Sequence, residues 1–358
     1  LSARAEPVTV STCIYIVEES IMPVIPPQRR LGKSNLHISP IIFGAWAIGG
    51  WMWGGADEQE SIAAIHASID AGVNTIDTAA IYGMGASEEI VAKAIAGKRD
   101  QVVIATKCGM RWNTTEGSEP WPNKTPAGED VVVMKNAKTN SIPYECEQSL
   151  KRLRTDVIDL YQVHWPDVST PVEETITALE KLRKEGKVRA IGVSNYDAEW
   201  LERASKVATL ASDQPPFSLI TRKIEKTILP WLRQHDVGAI VYSPLERGLL
   251  TGNVGPNRTF PEGDHRAKHK YFTIENRRRI LAALEEIRPI ADQHKASFAQ
   301  IVINWTIQEP GITAALVGAR NAEQAQHNAG ALAFTLSPDE RAAVRRAFDP
   351  VSAALGGT

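Results

Sequence analysis

Three cysteines in 358 residues are too few, and of the wrong parity, for a disulfide framework. Cys13, Cys108 and Cys146 also lack the short spacings of metal ligands. Reduced thiols in a cytoplasmic protein are expected, and no metal site. A surplus of charge is missing as well, since 40 basic and 42 acidic side chains leave a net −2. Nothing in that balance invites nucleic acid or an anionic membrane. Long apolar runs are absent too, and no stretch approaches the ~20 residues of a membrane helix. The short run Val8–Ile16 has only Arg4 ahead of it and meets Glu18 and Glu19, so it does not read as a secretory signal.

What is present is an ordinary globular composition, with 43% hydrophobic and 23% charged residues. Residues 1–28, ending in Pro23, Pro26 and Pro27, look like an extension set apart from the rest. From Arg29 onward, short apolar runs alternate with helical patterns, the signature of β/α units around a parallel sheet. The expected strands are Ile41–Trp46, Asn74–Thr78, Val102–Lys107, Ile158–His164, Val188–Ser194, Leu210–Gln214, Ala239–Ser243 and Ala314–Val317. Helical patterns between them include Glu58–Ala71, Ser87–Ala96, Val172–Lys184 and Asn276–His294. About eight such units suit one (β/α)8 TIM barrel over residues 29–350, with 351–358 as a tail.

A doubly wound open sheet is the competing architecture, and it usually carries G-x-G-x-x-G after its first strand. Here Gly49, Gly50, Gly54 and Gly55 are interrupted by Trp51, Met52 and Trp53, which breaks that spacing. The barrel is favoured. Two stretches interrupt its rhythm, 110–142 and 244–272, and both read as long loops at the carboxyl face, where barrel active sites form.

The apolar strands end in polar residues that have chemistry to offer. Asp77 closes the second strand with Tyr82 in the loop beyond it, Lys107 closes the third, and His164 closes the fourth. Strand ends of successive units meet at one barrel mouth, so these four side chains should converge. A tyrosine is a poor proton donor or acceptor near neutrality, but a neighbouring ammonium lowers its pKa. Asp77 would hold Lys107 cationic, and His164 could donate a hydrogen bond to a carbonyl oxygen. Such a set suits carbonyl reduction, given a source of hydride. A structural Asp77–Lys107 ion pair is the plainer alternative.

The segments GVNTIDTAAIYG (72–83), IATK (104–107), DLYQVHWP (159–166), AIGVSN (190–195), VYSPLERGLLTG (241–252) and VGARNAEQ (317–324) resemble the aldo-keto reductases. The likeness runs in order from about Arg29 to about Phe348. It implies a barrel that binds NADPH without a Rossmann domain, with NADH as a second option. By that resemblance Tyr82 is the acid/base, Asp77 and Lys107 tune it, and His164 orients the carbonyl. Trp46, Asp77, Ser194, Asn195, Gln214 and Tyr242 would surround the nicotinamide. Ser243, Pro244, Leu245, Gly248 and Leu249 would wrap the pyrophosphate. Gly318, Arg320, Gln324 and Asn328 would receive the adenosine end, with Arg320 placed for a 2′-phosphate. Two positions depart from the pattern: His327 stands where glutamate is common, and Asn253 where a basic residue is common. Arg258, Arg266 and Lys268 are the substitutes for the latter, and Arg266 matches best.

Tryptophans 46, 51, 53, 112, 121 and 165 fall near the first, third and fourth strand ends. Of these, Trp46, Trp53, Trp112 and Trp165, with Tyr82 and His164, are the expected substrate contacts. They point to a hydrophobic or ring-bearing aldehyde or ketone, or the matching alcohol, rather than a sugar phosphate. Two other readings stay open: a lyase using Lys107 as a Schiff-base amine, and an NADP-sensing regulatory subunit with little turnover. Oligomeric state is not indicated.

Overall fold

The structure is a computed structural model that describes residues 27–357. The extension expected over 1–28, apart from Pro27 and Gln28, lies outside the described residues, as does Cys13. Eight strands form a closed barrel: β1 (Ile41–Gly44), β2 (Thr75–Asp77), β3 (Val103–Cys108), β4 (Ile158–Val163), β5 (Val188–Ser194), β6 (Ser212–Gln214), β7 (Gly238–Val241) and β8 (Ile312–Val317). Neighbours are parallel throughout, and spatial order follows chain order until β8 meets β1. This is the expected (β/α)8 barrel. Most expected ends shift by one or two residues, while Val188–Ser194 and Val172–Lys184 form with the expected bounds.

Two hydrophobic layers hold it. One lies between the outer barrel face and the helices, and the other fills the barrel floor with Ile42, Ala105, Leu160, Ala190, Ala211, Ile240, Ala314 and Leu316. A hairpin of Arg29–Arg30 with His37–Ile38 closes that floor and inserts Leu31, Leu36 and Ile38. Leu31 and Gly238 pack so closely that a Cβ on Gly238 would lie 2.6 Å from Leu31 Cδ1.

The helices start where side chains satisfy their free N–H groups. Asp57 caps α1 (Glu58–Asp70), and Asp197 caps α5 (Ala198–Val207). The cap of that fifth helix is therefore Asp197, which leaves Ser194 and Asn195 free for other partners. Between them run α2 (Ala86–Ala94), α3 (Ser141–Leu153) and α4 (Val172–Lys184), and α6 (Ile228–His235) follows.

Three expectations need correction. The single helix expected over Asn276–His294 is two, α7 (Ile274–Glu286) and α8 (Arg288–Gln293). Pro289 lacks the N–H that would continue the first helix and suits only the opening turn of the second. Residues 110–142 are not a plain loop. Met110–Arg111, Ser118–Lys124 and Asp130–Lys135 make an antiparallel sheet with the last strand in the middle, and α3 then begins at Ser141. The Val131–Val133 run supplies the β-branched centre, and Pro120 and Pro122 are tolerated because their strand is an edge.

The boundary expected at 350 falls inside the final helix. After α9 (Phe298–Gln308) and α10 (Ala322–Ala329), α11 spans Pro338–Ala354 and starts from a Ser337–Glu340 capping box. Val351 and Ser352 are buried, and the Gly357 carbonyl accepts the Arg222 N–H at 2.6 Å. The chain end is thus packed against the barrel rather than trailing from it. Among the described residues, no helix is long and apolar enough to cross a membrane.

Candidate active site

β2, β3, β4 and β6 each send one polar side chain into the upper barrel. Asp77, Lys107, Gln162 and Gln214 are all buried there. Lys107 Nζ donates to Asp77 Oδ1 at 2.5 Å, to the Thr78 carbonyl at 2.9 Å and to Tyr82 Oη at 3.2 Å. Asp77 Oδ2 accepts from Gln214 Nε2 at 2.8 Å and from Gln162 Nε2 at 3.2 Å. Both charged groups in this layer are paired, as burial demands.

Tyr82 reaches the ammonium because its turn is pinned to the loop after β1. Gly83 has φ +65°, and a Cβ there would lie 2.5 Å from the Gly49 carbonyl oxygen. Only glycine fits that approach. The Tyr82 and His164 rings stand edge to face with centroids 5.7 Å apart, so the four expected catalytic side chains do converge.

Protonation follows from this packing. Burial pushes the Tyr82 hydroxyl upward, and the Lys107 charge pulling the other way does not overcome it. The expected net lowering is therefore not found, and Tyr82 is a phenol at neutral pH. Burial would lower the Lys107 ammonium, but the neighbouring Asp77 and Tyr82 outweigh it and the net direction is up. A Lys107 held cationic is no Schiff-base nucleophile. Burial, then the Lys107 charge, drive His164 well below the usual imidazole range, so the ring is neutral and donates as an N–H.

Of the residues expected around a nicotinamide, all but Trp46 form one hydrogen-bonded network. Ser194 Oγ donates to the Gln214 carbonyl at 2.7 Å, and Asn195 Nδ2 donates to the His164 carbonyl at 3.1 Å and to Ser194 Oγ at 3.0 Å. Tyr242 Oη donates to Asn195 Oδ1 at 2.9 Å. Gln214 spends its amide nitrogen on Asp77, which leaves its carbonyl oxygen for a ligand amide. Beyond β7, Ser243, Glu246, Arg247 and Gly248 adopt left-handed φ, and Pro244, Leu245 and Leu249 lie on this turn. A Cβ on Gly248 would meet only the Arg266 guanidinium, at 4.0 Å.

Arg266 lies at that turn but is already paired. Its Nε and NH2 groups donate to Asp264, the closest at 2.6 Å. Gly318 and Arg320 precede α10, Gln324 lies in its first turn and Asn328 in its last. Asn328 Nδ2 donates to the Gly318 carbonyl, and the Arg320 N–H donates to Gln324 Oε1. The Arg320 guanidinium donates at 2.6 Å to the Gly55 carbonyl, across the mouth.

The tryptophans divide by role. Trp46 packs beside Tyr82 (6.3 Å) and Trp53 (5.2 Å) at the rim, and Trp112 joins Tyr82 in a small apolar cluster. Trp51, buried, stacks near Trp121 (5.6 Å) and donates to Asn123, so this pair fastens the antiparallel sheet to the barrel. Trp165 is 36% exposed and lies under Lys135 of that sheet. Sequence reading missed Gln162, Arg247 and His265. Gln162 had a signal: it precedes His164 by two positions and so shares its face. Arg247, 6.0 Å from the Trp46 ring, and His265, 5.1 Å from it, sit in irregular chain where no periodicity marks them.

A parallel barrel that gathers a phenol, an ammonium, a carboxylate and a neutral imidazole at its carboxyl face defines an enzyme of acid–base chemistry at a carbonyl or alcohol. Comparison with known proteins names the group. The model of the aldo/keto reductase family matches residues 40–349. The NADH-specific methylglyoxal reductase of Escherichia coli (strain K12) is 36% identical over 88% of this chain and 96% of its own length. The glycerol dehydrogenase AKR11B4 from Gluconobacter oxydans superposes with a TM-score of 0.80, at 37% identity over 94% of this chain and 97% of that one. An aldo/keto reductase from Klebsiella pneumoniae, solved in complex with NADP and acetate, gives a TM-score of 0.66 at 30% identity over 90% of this chain and 95% of that one. The chain belongs to the aldo/keto reductase family and is an oxidoreductase of enzyme class 1.1.1.

Proposed function

We propose that this protein reduces an aldehyde or ketone to the alcohol, reversibly, with NADPH as the preferred reductant and NADH as the alternative. The observation that carries this is Tyr82 Oη 3.2 Å from a Lys107 ammonium that Asp77 holds at 2.5 Å. When bound, the nicotinamide supplies hydride to the carbonyl carbon. His164, neutral, donates a hydrogen bond to the carbonyl oxygen and orients it. Tyr82 gives its proton to that oxygen as negative charge develops there, and Lys107 stabilises the phenolate left behind. Asp77 keeps Lys107 charged and in place, and Gln162 and Gln214 keep Asp77 in place.

The residues present fit a dinucleotide. Ser194, Asn195 and the Gln214 oxygen offer the mixed donors and acceptors an amide needs, and Tyr242 offers an aromatic face. The absence of a side chain at Gly248, in the turn that begins at Leu245, leaves room for a pyrophosphate beside Arg266. Arg320, with Gln324 and Asn328, suits the adenosine end, and its guanidinium favours a 2′-phosphate. The NADP-bound relative supports this preference, while the NADH-specific relative supports testing both nucleotides.

Turnover of a simple aldehyde, followed by loss of the reduced-nucleotide absorbance, tests the reading. Tyr82→Phe should lower kcat about 10²- to 10⁴-fold while nucleotide binding, read by quenching of tryptophan fluorescence, persists. Undiminished turnover in that variant rejects Tyr82 as the proton donor. Nucleotide binding with no turnover of any carbonyl points instead to a regulatory subunit.

A further inference from the structure

We propose that Trp53 and His265 recognise a substrate hydroxyl, so that the enzyme selects hydroxy-aldehydes and hydroxy-ketones over their unhydroxylated counterparts. The inference rests on the carbonyl-reductase reading of Tyr82 and adds the substrate class. His265 Nδ1 lies 2.7 Å from the Met52 carbonyl oxygen, which can only accept. Nδ1 therefore carries the proton, and Nε2 is a bare acceptor. Among the described residues that Nε2 is buried with no partner, and so is the indole Nε1 of Trp53, which can only donate. The two rings are perpendicular with centroids 5.0 Å apart, and Trp46 lies within 5.2 Å of each and beside Tyr82.

The ring of an unpaired donor thus packs against the ring of an unpaired acceptor, beside Trp46 at the edge of the catalytic mouth. A hydroxyl satisfies both at once, because it donates one hydrogen bond and accepts others. A methyl group leaves both unpaired, and a carboxylate brings no proton to Nε2. The C–H groups of a hydroxylated carbon would lie against the Trp46 face. The pair is preorganised by its two loops. Met52 also accepts the His265 backbone N–H at 3.2 Å, and the Arg266 guanidinium covers the Trp53 ring at 5.0 Å. The mouth is therefore not uniformly apolar, and this revises the substrate expected from its tryptophans alone.

Isosteric pairs test the proposal: glycolaldehyde against propanal, and hydroxyacetone against butan-2-one, with the full chain and saturating NADPH. The native protein should favour the hydroxylated member of each pair in kcat/KM by about tenfold or more. Trp53→Phe and His265→Phe keep an aromatic ring and remove one polar atom each. Each should erase most of that preference by lowering kcat/KM for the hydroxylated member. An equal loss on both members would overturn the proposal, as would a native preference near unity. A loss confined to nucleotide affinity, measured by fluorescence titration, would assign the pair to a cofactor ribose and overturn it too. Absence of turnover with all four carbonyls and both nucleotides would instead sink the reductase reading beneath it.

Discussion

Lys107 is where charge burial and proton transfer meet. Its ammonium is sealed against Asp77, so Lys107→Met strands a carboxylate held only by the Gln162 and Gln214 amides. Stability in a denaturant titration should fall by about 3–5 kcal/mol, and adding Asp77→Asn should recover most of it by removing the stranded charge. Activity should not return with stability, because Lys107 is the group that pulls the Tyr82 pKa down. Without it the phenol sits still higher. Alcohol oxidation, which needs phenolate, should lose rate, and its rising limb should move to higher pH. On the proposed mechanism, reduction by the native protein needs phenol and neutral imidazole. It should hold level from about pH 7 to 9 and fall only above that. A double variant with native rates and pH profiles in both directions would contradict this. The convergence of these groups was legible because each of Asp77, Lys107 and His164 falls at the end of a largely apolar strand. The net direction of the Tyr82 shift was not, since it depends on how deeply the hydroxyl is buried, and only packing determines that.

Among the elements, the turn after β2 bears the tightest constraint on the site. Gly83→Ala would place a methyl 2.5 Å from the Gly49 carbonyl at a left-handed φ, so the turn must shift and carry Tyr82 with it. The expected cost is about 1–3 kcal/mol in thermal or chemical unfolding. The accompanying loss of kcat should exceed anything explained by the unfolded fraction at assay temperature. Native kcat in a stably folded Gly83→Ala variant would show that Tyr82 is placed by something else. The barrel strands themselves could be read from the sequence because a strand buried on both faces tends to a continuous apolar run, as in Gly238–Val241. The antiparallel sheet could not. Its outer strand, Ser118–Lys124, includes two prolines and a lysine, and it is a strand only because Asp130–Lys135 lies beside it. Pairing of that kind is tertiary information that local composition does not carry.

On the scale of the whole molecule, one carboxylate links the barrel rim to that sheet. Asp167, just past β4 and His164, accepts from Ser118 Oγ at 2.7 Å and from the Ala137 N–H at 2.9 Å. It also accepts from Ser169 and Thr170 in its own loop. Burial would raise its pKa, but the hydrogen bonds from Ser169, Ala137 and Ser118 outweigh it and hold it below the ordinary carboxylate value. Its contribution to stability is therefore complete at neutral pH and is lost only as the pH falls through and below about 4. Trp51 with Trp121 makes a second, apolar fastening, so cutting the first should loosen the sheet without releasing it. The residues proposed to hold the nucleotide, on β5–β8 and α10, lie on other units of the barrel and share no hydrogen bond with Asp167. Asp167→Ala should thus cost about 1–3 kcal/mol and raise the carbonyl KM several-fold, while nucleotide affinity by fluorescence titration stays within about twofold of native. A matching loss of nucleotide affinity would mean that the two halves of the mouth are coupled through the barrel, and that the sheet is more than a wall for the substrate.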